Sequence, residues 1–552
     1  MERSGRRNGV AVLRGVSLLV CSAMLLFAAE GVTLAQSVQT RHLRDEVKNG
    51  EAKFVNRLPA TQSLRLNIAL PLRNEAGLDE LLQKLYDPKN SLFHQFLSVQ
   101  EFTARFGPIE QDYDAVVRFA EENGLQVTGT VENRMLVNVT GSVTDIEKAF
   151  HLKMNSYKHP TESRNFYSAD REPSPDLGVT LWHVTGLDNF SIPHPASLVR
   201  NAKQGPQATG SGPGGQFLGS DMREAYYGGT TLTGKGQSVG LLEFAGYNVN
   251  DVTTYFTNVK QPLTVAVTGV STDGSSLSCT GGCDDTEQVL DIEVAISMAP
   301  GMSNVYVYVS DTSDVSIFNR MATDNKAKSL SCSWGWSPAD PASDDPIFKE
   351  FAAQGQNLFV ASGDSGAFKK KSRFVYPADD AFITSVGGTD LTTNGPGGPW
   401  ASEIAWAGSG GGISPNNITI PSYQTASGVV TAANKGSRTL RNVPDVAAEA
   451  NTDNYICYDG KCAGGWGGTS FAAPRWAGYL ALVNQQSSGK GHGTLGFINP
   501  AIYGIGLGSS YAADFHDITS GSNGTYSTEK GYDLVTGWGS PNGFALINAL
   551  AP

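Results

Sequence analysis

From Phe217 to the C-terminus, short apolar runs alternate with helical stretches, and this alternation restricts the fold more than any other feature of the chain. Residues 237–244, 304–309, 329–333, 358–362 and 383–386 read as short buried strands. Residues 286–298, 347–353 and 470–485 read as helices, the first closed by Ala299-Pro300-Gly301. Such strands separated by helices predict a parallel sheet covered on both faces. Asp285 and Gln288 predict a capping box at the start of 286–298.

The N-terminal part reads differently. Residues 37–200 predict a compact α+β unit: a strand over 64–72, helices over 78–86, 114–122 and 143–150, and a hairpin over 125–139. Residues 201–216 are a low-complexity Gly/Pro-rich linker, the kind of exposed segment in which proteolytic processing is expected. Residues 1–36 predict a signal peptide. Arg3, Arg6, Arg7 and Arg14 precede an apolar run over 16–28, and Thr33-Leu34-Ala35 suits cleavage. The run is shorter than the roughly 20 residues of a membrane span. Val20 before Cys21 does not fit lipid attachment, so export without a membrane anchor is expected.

Composition narrows the function classes. A formal charge of −12 over 552 residues argues against a nucleic-acid partner. After the leader, Cys279 with Cys283 and Cys457 with Cys462 predict local disulfides in an exported protein. Cys332 is left as a buried thiol. No histidine stands near these cysteines at zinc-ligand spacing.

Ser470 lies in Gly467-Gly468-Thr469-Ser470-Phe471-Ala472-Ala473-Pro474, where a glycine-rich turn enters a helix. A helix N-terminus offers unpaired N–H groups and positive potential. A serine nucleophile needs a positioned base. Of eight histidines, His42, His94, His151, His159, His183 and His194 precede residue 200, and only His492 and His516 follow the serine. A carboxylate is therefore the expected base, and a carboxylate base implies work in acid. Glu287 and Asp291 stand four apart on one helix face. Two close carboxylates resist double ionisation and can share a proton. Asp364, in Gly363-Asp364-Ser365-Gly366, follows a predicted strand, where sites of open α/β sheets form.

These strings resemble the sedolisin (serine-carboxyl peptidase) family, in its kumamolisin-like form with an activation prodomain. Glu-x-x-x-Asp, Gly-Asp-Ser-Gly and the serine motif occur in the family's order. Leu242-Glu243-Phe244, Ser333-Trp334-Gly335 and Arg441-Asn442-Val443-Pro444-Asp445 also fit, as does Phe102-Thr103-Ala104-Arg105-Phe106-Gly107 in the prodomain. His492-Gly493-Thr494 copies the histidine motif of subtilisins but follows the serine, against the subtilisin order.

The resemblance implies a subtilisin-like, doubly wound α/β peptidase domain over 217–552 behind a ferredoxin-like prodomain over 37–200. It implies Ser470 as nucleophile, Glu287 as general base, Asp291 as its assistant and Asp364 as the acid that stabilises the oxyanion. Glu243 and Trp334 would stand behind the acid pair and line the substrate cleft. Asp517 and Asp533, with the carbonyls of Ile518, Glu529 and Gly531, would hold one Ca2+. The implied protein is a secreted, acid-acting endopeptidase made as a zymogen. It acts on proteins or peptides and is inhibited by its own prodomain. Unperturbed Asp and Glu titrate near ~4, which places its maximum on the order of pH 3–5. The alternatives are a tripeptidyl-peptidase of the same family and an inactive, calcium-stabilised secreted binding protein. Lys369-Lys370-Lys371-Ser372-Arg373 reads as a solvated loop, or as a basic rim for acidic substrate residues or for the prodomain.

Overall fold

A twisted sheet of eight strands organises the C-terminal part. In chain order its strands are β1 (Ser238–Glu243), β2 (Ala266–Ser271), β3 (Asn304–Val309), β4 (Ser329–Cys332), β5 (Asn357–Ala361), β6 (Thr384–Thr393), β7 (Trp400–Ala405) and β8 (Val446–Glu449). The spatial order is β2-β3-β1-β4-β5-β6-β7, with β8 also pairing β6. All neighbours are parallel except β6 and β7. The structure is a computed structural model and describes residues 38–552 except 197–198, 201–208, 280–282, 340, 370–371 and 373–374. The expected leader lies outside the described residues, as do Lys370, Lys371, Arg373 and the first half of the linker.

Helices cover both faces, as the buried strands demand. Val239 and Leu241 of β1 join one core with the helices α1 (Thr286–Met298) and α4 (Thr469–Gly489). Leu242, between successive pleats, joins the opposite core with α2 (Asp314–Asp324) and α3 (Pro341–Ala353). Every residue of α1 is buried, so its apolar positions run all round the helix. The helix α4 runs under the sheet against α1, β4, β5, β6 and β8.

The expected prodomain is a four-stranded antiparallel sheet in the order Gln126–Thr130, Leu136–Ser142, Ser63–Ala69, His183–Thr185. Glu110–Glu122 and Val143–Phe150 are its crossover helices, and their apolar faces complete one core with the sheet. This βαββαβ arrangement is ferredoxin-like. A second, three-stranded sheet joins Lys53–Arg57, Met154–Lys158 and Asn165–Ala169.

The prodomain docks on α2, α3 and the loops after β2 and β3. Arg65 pairs with Asp273 and Asp311. Asn67 donates to Ser313 Oγ at 2.6 Å, and Tyr86 donates to the Ala352 carbonyl at 2.7 Å. Asn133 donates to Glu350 at 2.8 Å. Two cross-links, Cys279–Cys283 and Cys457–Cys462, are formed, and Cys332 is a buried free thiol on β4. The capping box does not form. Asp285 is the N-cap of α1, but its Oδ2 accepts from the amide of Asn248 at 2.7 Å, drawn away by a distant loop.

Candidate active site

Ser470 stands in the first turn of α4. The turn before it needs glycine, because Gly468, the N-cap, has φ +147°, a conformation L side chains rarely adopt. Ser470 is buried, and its Oγ has no hydrogen-bond partner among the described residues.

Glu287 and Asp291 project from one face of α1 and are both buried. No hydrogen bond reaches either oxygen of Glu287. Its carboxyl is held well above the ordinary glutamate range by burial first, and then by the charge of Asp291. Ser470 lies near enough to oppose that rise by hydrogen-bonding to Glu287, although the two side chains are not aligned as a fully formed bond. Such contacts commonly tighten only when substrate is bound.

A second layer backs the pair. Ser333 Oγ donates to Asp291 Oδ1 at 2.8 Å and stands 3.4 Å from the Ser470 carbonyl. Trp334 Nε1 donates to Glu243 Oε2 at 3.0 Å. Glu243 and Asp291 interact directly, and burial pushes both well above their ordinary values. The trio Glu243, Asp291 and Glu287 is thus a buried chain of acids that cannot all ionise together.

Asp364 follows β5, after Gly363 at φ +103°. Its Oδ1 accepts from the backbone N–H of Thr469 at 2.7 Å and from the Thr469 hydroxyl at 2.8 Å. Its Oδ2 is buried and has no partner among the described residues. Burial raises its pKa to about 7, against the lowering effect of the two Thr469 bonds. Asp364 also raises Glu287, so the two acids face each other electrostatically. The arrangement can hold a proton on Asp364 while a carboxylate beside Ser470 accepts one.

The prodomain reaches into this site. His194–Pro195 pairs antiparallel with Trp334–Gly335, and the Ala196 amide donates to the Ser333 carbonyl at 2.9 Å. Val199–Arg200 pairs antiparallel with Trp466 and Gly467, on the strand that leads into Ser470. The segments 194–196 and 199–200 thus lie on the Ser333 side and the Gly467 side of the site.

Glu287 and Asp291 from one helix come together with Ser470, Asp364, Glu243 and Trp334 from four other segments. Sequence reasoning missed Ser333 and Thr469 as partners of the acids, and it missed the prodomain strands in the site. Ser333 stood within the Ser-Trp-Gly string and Thr469 beside the serine, but nothing local joined either to a carboxylate. The two histidines after Ser470 lie elsewhere. His516 stacks on Trp400 at 3.9 Å, and His492 is exposed beyond α4.

Asp517 and Asp533 lie apart from these acids, in the C-terminal loops. Gly531 N–H donates to Asp517 at 3.1 Å, and Glu529 N–H donates to Asp533 at 3.1 Å. The backbone around Gly531 thus folds over both aspartates. Burial raises Asp533 to about 7 and also raises Asp517. Neither has a salt-bridge partner among the described residues, and no three His, Cys, Asp or Glu side chains converge as a metal cluster there. Ile518 packs with Ala405 and Val535, which presses this loop against β7.

Comparisons with known proteins agree with this architecture. The family description "Pro-kumamolisin, activation domain" matches residues 50–190, and "Subtilase family" matches 265–494. Kumamolisin of Bacillus sp. (strain MN-32) is 30% identical over 535 residues, covering 90% of this chain and 94% of that protein. Sedolisin of Pseudomonas sp. (strain 101) is 28% identical, covering 88% and 86%. Tripeptidyl-peptidase 1 of Rattus norvegicus is 26% identical, covering 90% and 93%. The solved structure of Pseudomonas sedolisin, a serine-carboxyl proteinase complexed with two molecules of pseudo-iodotyrostatin, superposes with a TM-score of 0.53 at 26% identity. It covers 62% of this chain and 98% of that one. At this identity, held across nearly the full length of kumamolisin, the chain belongs to the sedolisin family of serine-carboxyl peptidases and carries that family's activation domain ahead of its peptidase domain.

Proposed function

We propose that the chain is a secreted, acid-acting endopeptidase whose first substrate is its own prodomain. The observation that carries the mechanism is the placement of Glu287 beside Ser470 with no histidine between them. Ser470 Oγ attacks the peptide carbonyl carbon, and its proton passes to Glu287. The carbonyl oxygen becomes an oxyanion and accepts a hydrogen bond from protonated Asp364. As the C–N bond breaks, Glu287 returns the proton to the leaving amine, and water then hydrolyses the acyl-enzyme by the same relay. Asp291 and Glu243 keep a proton shared behind Glu287, and Ser333 and Trp334 fix those two acids.

The endopeptidase reading is supported by two prodomain segments, His194–Pro195 and Val199–Arg200, that pair with strands on either side of Ser470. The antiparallel pairing is that of an extended peptide added to an exposed strand, a common recognition mode. In the uncut chain it excludes other substrates, which makes residues 37–200 an intramolecular inhibitor and 201–216 a linker open to processing.

The C-terminal loops suit one Ca2+. Two carboxylates that form no salt bridge among the described residues, held by backbone N–H groups, offer hard oxygen donors. Asp517, Asp533 and the carbonyls of Ile518, Glu529 and Gly531 would hold the ion, which would supply a cross-link between loops when bound.

One measurement separates the main readings. A denatured protein is digested across pH, and the product masses are read. Internal fragments of varied length with an acidic maximum are expected. A ladder of tripeptides would establish the tripeptidyl-peptidase alternative, and a neutral maximum would reject the carboxylate base.

A further inference from the structure

We propose that Thr469 is a positioning residue that decides which oxygen of Asp364 carries the acid proton. The proposal rests on the reading of Asp364 as oxyanion donor given above.

Hydrogen counting carries the argument. A threonine hydroxyl has one hydrogen. The amide of Gly363 donates to Thr469 Oγ1 at 3.0 Å, which uses a lone pair of that oxygen. The hydroxyl hydrogen is then free for Asp364 Oδ1, 2.8 Å away. The same Oδ1 also accepts the backbone N–H of Thr469 at 2.7 Å. An oxygen that accepts two hydrogen bonds is the carbonyl-type oxygen of a carboxylic acid. The proton is therefore left to Oδ2, which is buried and takes no other bond from the described residues.

Thr469 thereby does two things with one side chain. It stops the carboxyl from turning its proton inward, and it fixes the acid to the residue next to the nucleophile. The ionisable group facing Asp364 is Glu287 on α1, with Asp291 behind it, and Lys369 lies on the exposed continuation of the same loop. Both Thr469 bonds favour the ionised carboxylate and oppose the effect of burial. Removing the hydroxyl bond must therefore keep Asp364 protonated to higher pH while loosening its orientation.

The test compares kcat, KM and their pH profiles for the mature parent, Thr469→Val, Thr469→Ser and Asp364→Asn on one peptide substrate. Slow variants are matured by a trace of parent enzyme too small to register in the assay. Thr469→Val keeps the shape and the N–H but not the hydroxyl. It is expected to lose about 10- to 100-fold in kcat, less than the full loss of an oxyanion donor. KM should stay nearly unchanged, and the alkaline limb should move upward. Thr469→Ser should stay close to the parent in rate and limb. Should the valine variant not fold, Thr469→Ala removes the same hydroxyl and its alkaline limb decides.

Parental kcat and an unmoved limb in the hydroxyl-free variant would overturn the proposal. So would an equal loss in Thr469→Ser with no movement of the limb, which marks mere packing. If Asp364→Asn itself keeps the parental rate and limb, the oxyanion reading fails, and the role of Thr469 falls with it.

Discussion

The Ala196 amide hydrogen-bonds the Ser333 carbonyl at 2.9 Å, while the hydroxyl of the same serine holds Asp291 at 2.8 Å. The residue that grips the prodomain strand by its backbone grips the buried Asp291 by its side chain. Val199 pairs with Gly467, so the segments ending at Ala196 and starting at Val199 sit on the two sides of Ser470. The first self-cleavage is expected between Ala196 and Val199, with trimming through the 201–216 linker following. Ser470→Ala should fold and remain full length. N-terminal sequencing of the earliest products checks this, and an earliest cut outside that interval, or normal conversion of Ser470→Ala, would refute it.

Activity should be bell-shaped with an acidic maximum. Glu287 must be ionised to accept a proton, so the rate falls as pH drops through its raised pKa. Asp364 must be protonated, so the rate falls again as pH rises through a value of about 7. Burial is the main cause of both shifts, and departure of the prodomain strand lets water in, so both limbs should lie lower in the mature enzyme. Asp364→Asn keeps a donor that does not titrate. Its kcat should fall by on the order of 10²-fold or less, and its alkaline limb should disappear or move upward. An alkaline limb identical to the parent's would remove Asp364 from the mechanism.

Chelation should lower the melting temperature. A ligand bound only by the native state at about 100 times its Kd stabilises that state by roughly 2.7 kcal/mol. The comparison is between calcium-loaded and chelator-treated Ser470→Ala, which cannot digest itself during the scan. Asp517→Asn should lose most of the calcium response. Equal melts with and without calcium would count against the site.

Arg65→Ala should speed maturation. Arg65 is the prodomain partner of both Asp273 and Asp311. Part-exposed pairs contribute roughly 0.2–1 kcal/mol each, so losing both should quicken conversion by about two- to thirtyfold. The time course of prodomain loss on a gel checks it. An unchanged rate would show that these two ion pairs do not hold the prodomain in place.

Much of the fold was legible because its strands and helices are buried on all sides. The strand Asn304–Val309 and the helix Thr286–Met298 have the bounds their apolar runs predict. The edge strand Ala266–Ser271 escaped notice because it is half exposed and mixes Thr and Gly with Val. The hairpin Asn454–Tyr458 and Lys461–Gly467 escaped because its second strand is glycine-rich and takes a partner from the prodomain. The expected cap at Asp285 failed for a similar reason, since Asn248 competes for its carboxylate. Within the site, spacing alone put Glu287 and Asp291 on one face. The bonds from Thr469 to Asp364 span 105 residues, and no local pattern foretells them.

The burial of α4 has a consequence for the cell that makes this chain. Ser470 opens a helix that runs beneath β4, β5, β6 and β8 and against α1. On the proposed mechanism, nucleophile and base are therefore brought together only once the sheet has closed around that helix. A partly folded chain holds a serine and several acids, but no hydrolytic centre. Newly made molecules cannot degrade one another while they are still open and vulnerable, because the competence to cut arrives with the packing that resists being cut.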